Sequence, residues 1–159
     1  MRAPWVILLC IVFLLIGSCA GFFTGMLFNP TKIRQALTPE SVDISVDAPS
    51  SVRVGETFTI KVTVTDRSGQ ARRIRHVYIE DALIEGASIT GITPKPATTT
   101  SIFGYASHTM NLSVPASGSA TVTFSLSATA PGSYSGDIDT YIDSDFAFLT
   151  NTIQIDITE

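Results

Sequence analysis

The chain has 159 residues, 45% of them hydrophobic, and a formal net charge of −4. All fourteen acidic residues lie at or beyond Glu40, so from that point seven basic and fourteen acidic groups give 7 − 14 = −7, a surface that repels phosphate backbones and disfavours nucleic-acid binding. Both cysteines, Cys10 and Cys19, fall in an N-terminal apolar run, which excludes disulfides, thiol zinc sites and thiol nucleophiles from the rest of the chain.

That run, residues 3–28, holds 26 consecutive positions without a charged side chain. As a helix it reaches about 39 Å, against about 30 Å of hydrocarbon to be crossed. The expected organisation is a transmembrane signal-anchor helix over residues 1–30, a tether over 31–40, and one domain over 41–159. Two other readings of the N-terminus stay open. Leu15-Ile16-Gly17-Ser18-Cys19 loosely matches a lipoprotein signal that would be lipidated at Cys19, and Ser18-Cys19-Ala20 fits a cleavage site after a short apolar core. Phe22, Phe23, Met26, Leu27 and Phe28 favour the anchor, because a cleaved chain would leave that cluster in water. Arg2 on one side and Lys32 with Arg34 on the other nearly balance the positive-inside rule. The Ser/Thr-rich composition of the domain favours an extracytoplasmic placement, as a single-pass protein of the cell membrane.

Gly17, Gly21 and Gly25 recur at spacing four and share one helix face with Cys10 and Thr24. Small residues let a second helix approach closely, which is the main source of attraction where lipid supplies no hydrophobic drive. The face predicts a protein partner, either a second copy or another subunit. Glycine is also common in membrane helices without that role.

From residue 41 onward the hydrophobic period is two. Val42, Ile44 and Val46 alternate with Asp43, Ser45 and Asp47. Phe58, Ile60, Val62 and Val64 alternate with threonines and Lys61, and Asp66-Arg67-Ser68-Gly69 stops them. Further strands are expected over 73–80, around Leu112 and Val114, at Val122, Phe124, Leu126 and Ala128, from Tyr134 to Ile142, and at Ile153, Ile155 and Ile157. No useful window carries the 3.6 period. One polar face per strand predicts two antiparallel sheets packed face to face. Residues 91–105, with Pro94, Pro96 and three threonines, read as a long connection suited to a binding loop.

Val54-Gly55-Glu56-Thr57-Phe58-Thr59-Ile60, Val62-Thr63-Val64-Thr65-Asp66, Pro115-Ala116-Ser117-Gly118-Ser119 and Pro131-Gly132-Ser133-Tyr134 resemble the punctuation of bacterial immunoglobulin-like domains, cell-adhesion-related or adaptin-appendage-like. The resemblance spans about residues 42–158. It implies an all-β, seven-stranded immunoglobulin-like antiparallel β-sandwich, a tyrosine corner at Tyr134, and a binding or scaffolding role without catalytic residues. The antibody-type cysteine pair and core tryptophan are missing, since Trp5 is the only tryptophan.

Asp137, Asp139 and Asp143 are expected on one strand face, with Asp145 just beyond. Four carboxylates can bind Ca²⁺, although the twelve-residue calcium loop is not present. The competing reading pairs them with Arg72, Arg73 or Arg75 on an adjacent strand. Those three arginines can otherwise dock an anionic partner or lipid head group. His76 and His108 have no ligand-like spacing, and no serine sits in a Gly-x-Ser-x-Gly elbow. Asn111-Leu112-Ser113 is a glycosylation sequon only in a eukaryotic secretory host. No enzyme and no cofactor is expected. The sequence points to a non-catalytic, membrane-anchored interaction or structural module, or to an accessory subunit of a larger membrane complex held through the glycine face.

Overall fold

The computed structural model describes residues 41–159. The anchor helix, the tether, Cys19 and the Gly17, Gly21, Gly25 face lie outside the described residues. Among those described, no helix is long and apolar enough to cross a membrane.

Ten strands and one short helix follow in chain order: β1 (Val42–Asp47), β2 (Ser51–Arg53), β3 (Thr57–Asp66), β4 (Arg72–Glu80), α1 (Asp81–Ile84), β5 (Ala87–Thr93), β6 (Thr98–Ile102), β7 (Tyr105–Val114), β8 (Ser119–Ala128), β9 (Gly132–Ile142) and β10 (Phe148–Thr158). They form a four-stranded sheet, β1-β3-β8-β5, and a six-stranded sheet, β2-β10-β9-β4-β7-β6. The all-β, two-sheet expectation stands, but the count of seven strands is corrected to ten among the described residues. Residues 91–105 are not one long connection, because they contain the end of β5, all of β6 and the start of β7. The pairing is also not wholly antiparallel, since β2 runs parallel to β10.

The core follows from the alternation. Phe58, Ile60, Val62 and Val64 of β3 oppose Leu126, Phe124, Val122 and Ala120 of β8. From the other sheet, Ile74, Val77, Ile79, Ile138, Ile142 and Ile155 complete one continuous cluster. Most of these side chains are fully buried, and each contributes about 1.5–3 kcal/mol of transfer free energy. On the outer face of the small sheet, threonine and serine hydroxyls meet across the ladder, Thr63 with Thr121 at 3.0 Å and Thr65 with Ser119 at 2.8 Å.

The strands of a sandwich place its loops at two ends. Ser41, where the chain enters, lies at the same end as the β3–β4, β7–β8 and β9–β10 connections: Val42 pairs with Asp66, and the Ser41 carbonyl accepts from Arg67 N–H at 2.8 Å. The opposite end carries α1, the β6–β7 turn and the β8–β9 turn. There the Tyr134 hydroxyl donates to the carbonyls of Ala130 and Pro131, both at 3.3 Å. These are the upstream backbone bonds of a tyrosine corner. The ring lies so close to Gly86 that a Cβ there would sit 2.2 Å from its carbons. Gly86→Ala is therefore expected to destabilise the domain by about 1–3 kcal/mol in urea denaturation. In a Tyr134→Ala background most of that cost should vanish, and an unchanged cost would show that the ring contact is not its source.

Candidate functional site

Two neighbouring regions hold the residues singled out from the sequence: the chain-entry end of the sandwich and the outer face of the large sheet beside it.

At the end, Asp66 closes β3 and is almost fully buried, at 2% exposure. Its carboxylate accepts from the Ser68 hydroxyl at 2.6 Å, from the N–H groups of Gly69, Gln70 and Ser117 at 3.0, 3.2 and 3.2 Å, and from Arg72 Nε at 3.5 Å. Led by the Ser68 hydroxyl, these donors hold its pKa far below the ordinary 3.8, against the opposing effect of burial. Asp66 thereby ties the β3–β4 turn to the β7–β8 turn. Arg72 is equally committed: its guanidinium also reaches Asp143 at 3.1 Å and the hydroxyls of Ser41 and Ser68 at 3.4 and 3.3 Å.

Asp143 does not share the strand face of Asp137 and Asp139, as the alternation implied. It follows the last residue of β9 at φ +61°, and its second oxygen accepts from Arg73 N–H at 2.8 Å. Arg75 sits where β4 bulges between Ile74 and His76. The extra residue moves Ile74 and Val77, rather than alternate residues, onto the inner face. Arg75 pairs with Asp145 at 3.2 Å, and the same carboxylate oxygen meets His76 Nε2 at 3.1 Å. The bond to His76 comes first in lowering the pKa of Asp145, followed by Arg75.

Asp137 and Asp139 are spread along β9. Asp137 accepts from Thr152 and Asp139 from Thr150 of β10, both at 2.5 Å. The four aspartates thus face different donors instead of converging, and among the described residues no group of three or more His, Asp or Glu could hold a metal ion. The structure brings the arginines together: Ala71, Arg72, Arg73, Arg75, Ser113 and Asp143 line an open cleft of about 370 Å³. Arg73 is exposed there and makes no ion pair among the described residues.

Beside the cleft, the outer face carries an aromatic row, with ring centroids 4.7 Å apart for Tyr78–Tyr141 and for Tyr141–Phe148. His108 lies on the inner side of β7, its ring tilted against that of Phe124 with centroids 5.2 Å apart. Its Nδ1 meets the Thr99 hydroxyl at 3.1 Å while its buried Nε2 has no partner. Burial lowers its pKa below the ordinary 6.5, so the fold holds it neutral. No arrangement of nucleophile, base and orienting acid occurs in these regions. What the geometry offers is a cross-linked end and a polar, aromatic outer face, both suited to contact.

The sequence reading missed Asp66 as an anchor, although Asp-x-Ser-Gly is a recognisable turn signature in which the aspartate caps its own backbone. It also missed two exposed apolar groups, Phe103 at 99% and Phe146 at 76% exposure, each in a loop.

No protein-family model and no curated protein matches the chain. Solved structures do. A cohesin module from a Clostridium perfringens family 33 glycoside hydrolase superposes with TM-score 0.50 at 10% identity, over 75% of this chain and 98% of the module. A CARDB domain from Pyrococcus furiosus gives TM-score 0.45 at 15% identity, over 74% and 94%. A PKD domain of an M14-like peptidase from a Thermoplasmatales archaeon gives 0.40 at 17%, over 73% and 93%. The cohesin likeness shows the fold, a two-sheet β-sandwich, and at this identity only the fold.

The two perturbed groups set the pH response. Neutral His108 contributes stability above about pH 6.5 that declines as the unfolded chain gains its proton below that. Ionised Asp66 contributes stability present above the ordinary 3.8 and lost as pH falls toward its much lower folded value. The wild-type melting temperature should fall in acid. Asp66→Asn should lower it at pH 7 and shrink the further drop below roughly pH 4. Parallel pH profiles for the two proteins would remove Asp66 from this role.

Proposed function

We propose that the chain is a membrane-anchored, non-catalytic interaction module whose sandwich is displayed on the extracytoplasmic side of the cell membrane. The observation that carries this reading is the 26-residue uncharged run of residues 3–28, followed after a ten-residue tether by an independent β-sandwich core. The sandwich supports a contact role because its ionisable cluster is spent on ion pairs and hydroxyl bonds that brace the fold. Its two most exposed apolar side chains, Phe103 and Phe146, project from loops, where partners are met.

The glycine spacing favours a more specific form of the same reading: an accessory subunit of a larger membrane complex, packed on a neighbouring helix through Gly17, Gly21 and Gly25. Lipidation at Cys19 is the alternative means of attachment. The cleft arginines Arg72, Arg73 and Arg75 fit an anionic group, with Arg73 the one left uncompensated.

Intact mass of the native protein decides the attachment. The anchor predicts the full 17.0 kDa chain in the membrane fraction, whereas a loss of about 2 kDa would end it. Protease added outside intact cells should digest the sandwich, and protection would place it in the cytoplasm. Gly21→Ile should weaken co-purification of any helix partner by about tenfold or more, with the sandwich still folded.

A further inference from the structure

The two sheets differ in width, and the six-stranded one ends in β6. All five residues of β6 are exposed, on both faces, so the smaller sheet does not cover this strand. Its inner edge pairs with β7 in unbroken register from Thr98–Thr109 to Ile102–Tyr105, and its outer edge is open. Natural sheets blunt such edges with short strands, charges, prolines or bulges. The other three edges here follow that rule. β2 has three residues, β1 carries Asp43 and Asp47, and β5 shifts register between Ile89 and Gly91. Thr98-Thr99-Thr100-Ser101-Ile102 has no charge, no proline and no bulge.

We infer that β6 pairs antiparallel with β6 of a second copy of this chain, centred on Thr100, and joins the two large sheets into one. This deepens the interaction-module reading by naming the partner, and it rests on that reading for the sandwich being the contact element. The register follows from the turn. Phe103-Gly104 is a two-residue turn with φ of +48° and +83°, which glycine adopts without strain. Such a turn makes Ile102–Tyr105 a hydrogen-bonded pair, so Thr98, Thr100 and Ile102 direct their backbone groups to β7. Thr99 and Ser101 then present theirs to the open side. Only a centre at Thr100 both engages those groups, Thr99 against Ser101 of the copy and the reverse, and pairs all five residues.

The ends of the pairing agree with this register. Phe103 follows Ile102 and therefore stands beside Pro96-Ala97, the segment that leads into β6 of the other copy. Its ring, 99% exposed in the single chain, is covered there, and the two-fold axis makes the contact occur twice.

Cysteine cross-linking of the full-length chain tests this, in a Cys10→Ser, Cys19→Ser background, purified in mild detergent and also in native membranes. Thr100→Cys should form a disulfide-linked dimer about tenfold faster than Ser45→Cys on the charged β1 edge, because a non-hydrogen-bonded pair brings Cα atoms within disulfide reach. Thr98→Cys should link to Ile102→Cys in a mixed sample and poorly to itself. Thr100→Lys should abolish the dimer with the β-sheet circular dichroism spectrum unchanged, since two ammonium groups would meet on the axis. Equal cross-linking at positions 45 and 100, or a dimer that survives Thr100→Lys, overturns the pairing. If a dimer is lost with Gly21→Ile and not with Thr100→Lys, the helix makes it and the inference fails while the anchored reading stands. A chain cleaved from the membrane that still links through position 100 has the opposite meaning: the pairing holds and the anchor fails.

Discussion

The strict two-residue period of β3 and β8 is the constraint on which the described domain depends. Ile60, Val62 and Val64 on one strand and Val122, Phe124 and Leu126 on the other give a continuous apolar face with a hydroxyl face behind it. A slip of one residue would turn every one of these side chains into water and every threonine into the core. The small sheet is thus fixed in register by burial alone, and it presents a defined surface for Ile74, Val77, Ile79, Ile138 and Ile142 to cover. With the two faces committed, the ends of the sandwich need only be tied, and Asp66, Arg72 and Tyr134 do this with buried or half-buried polar bonds.

Those ties explain the fate of the charged residues. A carboxylate within reach of several N–H and O–H donors is stabilised in its ionised form and becomes part of the structure. Asp66, Asp143 and Asp145 each meet at least two such partners, and Asp137 and Asp139 bond the hydroxyls of β10. Groups committed to separate donors in this way do not converge on one cation. The arginines are half spent by the same bonds, which leaves Arg73 and the open cleft beside it as the basic feature of that end.

The parts of the fold that were legible in the sequence are those buried on one face. β1, β3, β8, β9 and β10 announce themselves because alternate positions must be apolar when only one side is covered. β6 did not, since a strand exposed on both faces needs no apolar period, and Thr98–Ile102 reads as a polar loop. β4 was legible as a strand but not in its facing, because the bulge at Arg75 breaks the parity that alternation assumes. The pairing of Arg72 and Arg75 with Asp143 and Asp145 could be anticipated from strand adjacency. The turn position of Asp143 could not, because its left-handed φ depends on how β9 ends against Arg73. Asp66 was read only as a stop signal; its bonds to Ser68, Gly69 and Gln70 follow from the local turn signature, whereas the donor from Ser117, 51 residues away in the chain, does not.

The ends of the sandwich differ in charge as well as in connection. At the Ser41 end Arg67, Arg72 and Arg75 are paired with Asp43, Asp66, Asp143 and Asp145, so with Arg73 four basic groups meet four acidic ones and the end is nearly balanced. Glu80, Asp81 and Glu85 stand at the far end, where Phe103 projects.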